Sequence, residues 1–149
     1  MVTLKSAREL DIMAGAGAIA CRTLRLVREM VRPGVTTEDL DKAAEAYIRQ
    51  QGAKPSFKGL YGFPKSLCIS INEEIVHGIP SRKRVLHEGS IVSVDVGVFV
   101  EGLHADTATT IPVGEISPEA RSLLEVTERS LGAGIEAARL GNHVGDIGS

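Results

Sequence analysis

The apolar positions near the start of the chain recur at the spacing of an α-helix. Ser6 and Glu9 form an S-x-x-E capping pair, which predicts a helix start, and the Pro-Gly at 33–34 predicts its end. The apolar row between them consists of Leu10, Met13, Ala14, Gly17, Cys21, Leu24, Val27 and Val31. We therefore expect one long helix along this apolar row.

Two further helices are predicted by their capping residues. Thr36 or Thr37 begins the second helix, and the Gln-Gly at 51–52 closes it. Its inner face carries Leu40, Ala43, Ala44, Tyr47 and Ile48. The Ser-Pro-Glu at 117–119 begins a third helix, with a serine cap, a proline in the first turn and an acid near the positive end. Its expected buried face is Leu124, Thr127, Leu131 and Ile135.

Between these helices the pattern changes to short runs typical of β-strands. Residues 53–66 are rich in Gly, Pro and Lys and predict a loop, and residues 81–89 predict a charged connection. Alternation and β-branched content predict strands over 68–71, 74–77, 91–99 and 103–111. The last two strands are joined across residues 100–102, which predicts a hairpin.

Composition restricts the function classes. The chain has 149 residues, 43% of them hydrophobic and 24% charged, as in one ordinary globular domain. A net charge of -2 and an aromatic content of 3% argue against nucleic-acid binding. No run approaches the roughly 20 apolar residues of a membrane span. Cys21 and Cys68 lie far apart, so we expect a cytoplasmic protein without disulfides or a membrane partner.

An internal match indicates a repeated unit. The Arg-Pro-Gly at 32–34 followed by Asp39 resembles the Arg-Leu-Gly at 139–141 followed by Asp146, at the same offset. We expect residues 1–149 to form a single partial catalytic domain, with a first pseudo-repeat over 1–114 and an incomplete second one over 115–149. The sequence is therefore expected to be a piece of a longer protein.

Two aspartates carry the strongest chemical signal. Asp95 stands among valines in a predicted central strand, where a buried carboxylate needs a compensating partner. If Phe99 pairs with Gly102 across the hairpin, Asp95 lies directly opposite Asp106, and a divalent cation would relieve their repulsion. The alternative is that one aspartate is paired or capping and the other exposed. Spacing alone leaves both interpretations open.

The remaining candidates are weaker. His104 shares a strand face with Asp106 and could hydrogen-bond to a metal ligand without binding the metal itself. His77 precedes glycine and is followed by Pro80, which fixes a sharp exit from a strand, although a lone histidine is more often structural. Cys68 with His77 as a base is an alternative nucleophile, but a thiol in an apolar strand is usually inert.

Two segments resemble a known family. Residues 61–80 read YGFPKSLCISINEEIVHGIP, and residues 89–97 read GSIVSVDVG, followed by GLHADTA at 102–108. These segments resemble the signature of type I methionine aminopeptidases, and the resemblance extends over essentially the whole chain. It implies an α/β (α+β) chain with the pita-bread aminopeptidase fold, of which this sequence would be the first pseudo-symmetric half, truncated, with an antiparallel sheet and flanking helices.

The resemblance also implies a site and a reaction. Asp95 and Asp106 match two aspartates that bind two divalent ions (Co, Mn, Fe or Zn), the second bridging both. The family's histidine and two glutamate ligands have no counterpart here, so this chain alone is expected to lack half of the site. His77 matches a histidine that contacts the scissile amide. The methionine pocket falls on Phe57, Leu60, Phe63 and Cys68, and Phe57, Leu60, Phe63 and Gly97 depart from residues common in the family.

The implied function is metal-dependent hydrolysis that removes the initiator methionine. Its partners would be peptides and nascent chains beginning with methionine, and the ribosome is a further candidate. Two alternatives remain: a non-catalytic pita-bread binding module, and a peptidase of the same fold that cleaves before proline.

Overall fold

The structure is a computed structural model that describes residues 3–149. Within these residues the chain forms three helices, α1 (Ala7–Met30), α2 (Thr37–Gln50) and α3 (Pro118–Ala137), and four strands, β1 (Lys54–Pro55), β2 (Leu67–Ile71), β3 (Ile91–Val100) and β4 (Leu103–Pro112), with 3-10 turns at Leu60–Gly62 and Val144–Ile147. It divides into two compact units, Met1–Glu115 and Ile116–Ser149.

The first two helices begin where the capping residues predict. The Ser6 hydroxyl accepts a hydrogen bond from the Glu9 N–H, and the Glu9 carboxylate accepts one from the Ser6 N–H. Thr36, and not Thr37, caps α2 through the same reciprocal pair with Asp39. Each cap satisfies N–H groups that a helix start leaves without partners.

The buried side of α1 only partly matches the predicted row. Val27 is fully buried, but Leu10 is 55% exposed and Cys21 is exposed. The buried positions are instead Ala16, Ile19, Ala20, Thr23 and Val27. The two alanines lack bulk, so α1 can pack closely on β3 and β4, while Leu10 and Cys21 of the predicted row stay exposed.

The first unit contains one antiparallel sheet. β3 is central; β4 pairs with it along one edge, and β1 and β2 pair with different stretches of the other edge. Because side chains alternate along a strand, Val92, Val94, Val96 and Val98 all point to one side, where each is fully buried in the core formed with α1 and α2. The odd-numbered residues of β3 therefore point to the opposite face.

Two predictions about this region are wrong. Residues 74–77 form no strand, since Asn72 and His77 have φ angles of 54° and 60°, which break the extended conformation. Residues 53–66 are not all loop, because Lys54–Pro55 pairs with Val98 and Phe99 of β3. A two-residue strand containing proline shows no alternation from which it could be predicted.

The second unit contains α3 and the final 3-10 turn. Ser117 caps α3 as predicted, since its hydroxyl accepts a hydrogen bond from the Ala120 N–H. The predicted buried face is wrong: no residue of α3 is buried, and Leu131 and Ile135 are 62% and 65% exposed. A unit this short cannot enclose an apolar core. The pseudo-repeat predicted for residues 115–149 stays a prediction.

Candidate metal and substrate site

The hairpin register differs from the one assumed for the two aspartates. Val100 pairs with Leu103, so Asp95 lies opposite Ala108 and Asp106 lies opposite Gly97. The prediction that the two carboxylates are directly opposed is therefore wrong. Glu101 and Gly102, with φ angles of 46° and 88°, form the two-residue turn that sets this register.

The shift in register keeps Asp95 and Asp106 on the same face. They are two positions apart on neighbouring strands, which is a diagonal pair within reach of each other. The closeness of Asp106 raises the pKa of Asp95, since a second negative charge disfavours the ionised carboxylate. The condition on which the metal hypothesis depends, that both carboxylates share a face, is met by the geometry.

The environment of Asp95 favours a cation. Its Oδ1 atom is buried and accepts no hydrogen bond. Burial, reinforced by Asp106, raises the pKa of Asp95 to about 6, and the His77 imidazole opposes this shift. A divalent ion would supply the missing partner for Oδ1 and remove the repulsion between the two carboxylates.

The pair accounts for only part of a ligand set. Within residues 3–149, no group of three or more His, Cys, Asp or Glu side chains is arranged to hold a metal ion. The two aspartates therefore fit as a hard-oxygen pair suited to a divalent cation, without a third protein ligand from the part of the chain that the structure describes.

His77 is held beside this pair by the backbone of the following residue. The Gly78 carbonyl accepts a hydrogen bond of 2.8 Å from the Ile69 N–H, and the Gly78 N–H donates one of 3.1 Å to the Ser70 hydroxyl. A Cβ atom on Gly78 would lie 2.1 Å from the Ile69 carbonyl oxygen. Glycine is thus required for this close approach to β2, and the approach fixes the position of the preceding imidazole.

All seven residues predicted for the site line one cavity of about 560 Å³. They are Phe57, Leu60, Phe63, Cys68, His77, Asp95 and Asp106. Sequence reasoning missed four other lining residues, Tyr61, Gly62, Pro64 and Ile79. Their closeness in sequence to Leu60, Phe63 and His77 was the only available signal. The cavity joins an apolar wall to the carboxylate pair.

Cys68 contributes to the cavity wall without being a reactive thiol. It pairs with Asp95 across β2 and β3 and is only 6% exposed. Burial, followed by the negative charges of Asp95 and Asp106, raises the pKa of the Cys68 thiol to about 11. The thiol therefore stays protonated at neutral pH, which argues against the alternative of a cysteine nucleophile.

Polar contacts from α2 anchor the loop that carries the apolar wall. One oxygen of Asp41 accepts hydrogen bonds from the N–H groups of Ser66 and Leu67, at 2.8 and 2.9 Å. Burial raises the pKa of Asp41, while these two donors lower it. Glu38 binds Lys65 at 2.9 Å and also contacts Arg82, and these cations lower the pKa of Glu38 to about 2.

His104 shares the sheet face with Asp106, but it has another partner. Its Nδ1 atom lies 2.9 Å from the Ser56 hydroxyl, and its ring centroid lies 4.8 Å from that of Phe99. His104 is not among the residues that line the cavity. Its observed contacts steady the start of the loop, and its predicted support of a metal ligand stays a prediction.

Comparisons with known proteins show which proteins this chain resembles. The model of the family described as metallopeptidase family M24 matches residues 11–149. A methionine aminopeptidase of Clostridium acetobutylicum is 50% identical over 147 residues, covering 99% of this chain and 59% of that relative. A crystal structure of methionine aminopeptidase from Thermotoga maritima superposes with a TM-score of 0.96 at 37% identity, covering 99% of this chain and 59% of that one.

A more distant similarity concerns the fold alone. Prolidase from Pyrococcus furiosus superposes with a TM-score of 0.85 at 22% identity, covering 97% of this chain and 41% of that one. The pita-bread architecture of antiparallel sheet and flanking helices is thus common to these structures. The chain spans 59% of the length of the methionine aminopeptidases named above. Within residues 3–149, no helix is long and apolar enough to cross a membrane.

Proposed function

Because this chain belongs to metallopeptidase family M24, we propose that it acts in the metal-dependent hydrolysis that removes an N-terminal methionine from peptides and nascent proteins. The observation that carries the proposal is the buried Oδ1 of Asp95, which has no hydrogen-bond partner and lies beside Asp106 at an apolar cavity. The cytoplasm and the neighbourhood of the ribosome are the proposed location, since nascent chains occur there.

Asp95 and Asp106 are the proposed metal ligands. In this proposal their carboxylate oxygens would hold two divalent ions, of cobalt, manganese, iron or zinc. The bound ions would supply an activated water and polarise the substrate carbonyl. The two carboxylates fix the position of that chemistry, because both belong to adjoining strands of one sheet.

The apolar wall is proposed to select the methionine side chain. The cavity that contains the two carboxylates is also lined by Phe57, Leu60, Phe63 and Cys68. Aromatic and sulfur-containing side chains make favourable contacts with a thioether. A protonated Cys68 suits this role, because a charged thiolate would oppose binding of an apolar group.

His77 is proposed to contact the substrate amide. It lines the same cavity as both aspartates, and its backbone is held against β2 through Gly78. From this position the imidazole would donate a hydrogen bond to the oxygen or nitrogen of the bond that is cleaved. A substitution of His77 by alanine should therefore lower kcat more than it raises KM.

The direct test is peptide hydrolysis by the product of the complete gene, loaded with Mn²⁺ or Co²⁺. We expect release of free methionine from Met-Ala-Ser and no cleavage of Ala-Pro peptides. Asp106→Asn should lower kcat/KM by about 1,000-fold, since it removes a ligand that stabilises charge in the transition state. Asp11→Asn, an exposed carboxylate of α1, is the matched control and should leave the rate unchanged.

Two outcomes would contradict the proposal. Cleavage of Ala-Pro peptides in place of Met-Ala-Ser would support the alternative peptidase that cleaves before proline. Binding of Met peptides without hydrolysis under any metal, unaffected by Asp106→Asn, would support a non-catalytic binding module.

A further inference from the structure

Gly97 occupies an unusual position on the sheet face that carries Asp95 and Asp106. It lies in β3 two residues after Asp95, on the same face, and opposite Asp106 in β4. Its φ angle is not in the left-handed region, so the backbone does not require glycine there. In an extended strand, glycine is ordinarily less favourable than a residue with a side chain. The reason for glycine at this position must therefore be steric.

The space above Gly97 is filled by the loop that follows β1. A Cβ atom at position 97 would lie 2.7 Å from Cε1 of Phe57, 2.7 Å from Cβ of Ser56 and 3.0 Å from its Oγ. Carbon atoms do not approach this closely in real structures, so even one methyl group would force the loop or the ring to move.

The loop is not free to move away. The Ser56 N–H donates a hydrogen bond of 2.9 Å to the Gly97 carbonyl, and Pro55 pairs with Val98. The Ser56 hydroxyl is also held by Nδ1 of His104 at 2.9 Å. The aromatic ring of Phe57 is therefore the part that can shift, and it borders the cavity that also contains Asp95 and Asp106.

We propose that Gly97 is a specificity-determining residue, because its missing side chain lets the Phe57 ring lie against β3 and thereby sets the size of the apolar pocket beside the carboxylates. The inference deepens the proposed function and rests on it for the identity of the substrate. A larger residue at 97 would push the ring into the pocket, and a smaller residue at 57 would open it.

The contact itself can be tested without any activity. In the full chain, Gly97→Ala should lower Tm, and the same substitution made in a Phe57→Ala background should lower it by a smaller amount. The remaining loss is expected because Ser56 still crowds the position. Gly17→Ala is the matched control: apart from the backbone of its own helix and its two chain neighbours, no atom lies within 4 Å of the added methyl group, so Tm should stay constant or rise.

The effect on specificity can be tested by binding. L-Methioninol and L-phenylalaninol, which have no bond to hydrolyse, are titrated into the metal-loaded protein and followed by NMR. Phe57→Ala should shift the ratio of the two Kd values toward phenylalaninol by about tenfold, and Gly97→Ala should weaken methioninol binding by about tenfold, the range of a changed methylene contact in an apolar pocket.

The outcomes separate the inference from the proposed function. If native protein hydrolyses Met-Ala-Ser but the variants show unchanged Kd ratios or no coupling in Tm, the inference is overturned and the proposed function stands. If there is no hydrolysis but the Tm coupling and Kd shifts appear, the inference about the pocket stands and the proposed reaction fails. Absence of methioninol binding to the native protein would also overturn the inference.

Discussion

The two faces of the sheet affect the stability of the fold in opposite directions: one face stabilises it, and the other carries groups that lower its stability. On the helix side, four alternate valines of β3, from Val92 to Val98, are fully buried and have no polar atom to satisfy. On the cavity side, the residues between them include Asp95, with one buried oxygen left without a partner, and Gly97, with no side chain at all. The fold is held by one face, and the other face is thereby free to carry charges that lower stability.

The largest effect is expected on the valine face. Val96→Ala should lower the free energy of unfolding by about 3 kcal/mol, because it removes two buried methyl groups and leaves a cavity next to the helices. Urea denaturation followed by circular dichroism measures it. Val144, which is 87% exposed, provides the matched control, and its substitution by alanine should change stability by less than about 0.5 kcal/mol. Equal effects of the two substitutions would refute the contrast between core and surface.

The buried carboxylate of Asp41 differs from the carboxylate of Asp95 in its hydrogen bonds. Asp41 is 2% exposed, like the valines, but one of its oxygens accepts two backbone hydrogen bonds. Asp41→Ala should lower the free energy of unfolding by about 2 kcal/mol, since it leaves the N–H groups of Ser66 and Leu67 without a partner. Asp41→Asn keeps an acceptor oxygen and should be at least as stable as the native protein at pH 7.

The stability of the native protein and of Asp41→Asn should depend differently on pH. Burial raises the pKa of Asp41 from its ordinary 3.8, so the folded protein binds this proton more tightly than the unfolded chain. The contribution of Asp41 to stability is therefore largest in acid and falls as pH rises above 3.8. Asp41→Asn should lack this fall in a urea series between pH 3 and pH 7, and an unchanged slope would contradict the assignment.

A smaller effect of opposite sign is expected on the cavity face. In metal-free protein at pH 8, Asp95→Asn should raise the free energy of unfolding by about 1 kcal/mol, because it removes a partly buried charge that faces Asp106. Denaturation in the presence of a chelator measures this. Asp11→Asn on the exposed side of α1 should have no such effect. A loss of stability in Asp95→Asn would mean that the charge has a compensating partner in the protein.

The smallest perturbation is chemical modification, which compares the reactivity of the two cysteine thiols. Cys21 is exposed on α1, whereas Cys68 is buried in the wall of the cavity. Iodoacetamide at pH 7.5 should alkylate Cys21 about 100-fold faster than Cys68 in folded protein. In urea both should react at similar rates, which provides the internal control. Rapid alkylation of Cys68 in the folded protein would show a thiol more reactive than its burial allows.

The elements that depend on local chemistry could be predicted from the sequence. Ser6, Thr36 and Ser117 cap their helices through neighbours three residues away, so the signal and the structure lie in the same short segment. The side of α1 that is buried was not predictable in the same way, because two apolar rows run along that helix and the sheet selects the one with alanines at 16 and 20.

The residues predicted for the site line one cavity, but the register that relates them was predicted wrongly. Asp95 and Asp106 were predicted to lie on one face, yet their diagonal arrangement depends on Glu101 taking a left-handed conformation, which glutamate rarely adopts. Tyr61 was missed as a lining residue for a related reason: its φ of 48° turns the chain within the loop, and no sequence pattern announces it. The steric role of Gly97 likewise requires knowledge of which loop crosses the strand.

The central claim is that Asp95 and Asp106 together form a cation site, and metal binding tests it most directly. Mn²⁺ is titrated into the full chain and its free fraction is measured by electron paramagnetic resonance, for the native protein and for Asp95→Asn, Asp106→Asn and Asp11→Asn. We predict that either cavity-face substitution weakens Mn²⁺ binding by about 100-fold and that Asp11→Asn leaves it unchanged. Equal affinity in all four proteins, or no binding to the native chain, would contradict the account.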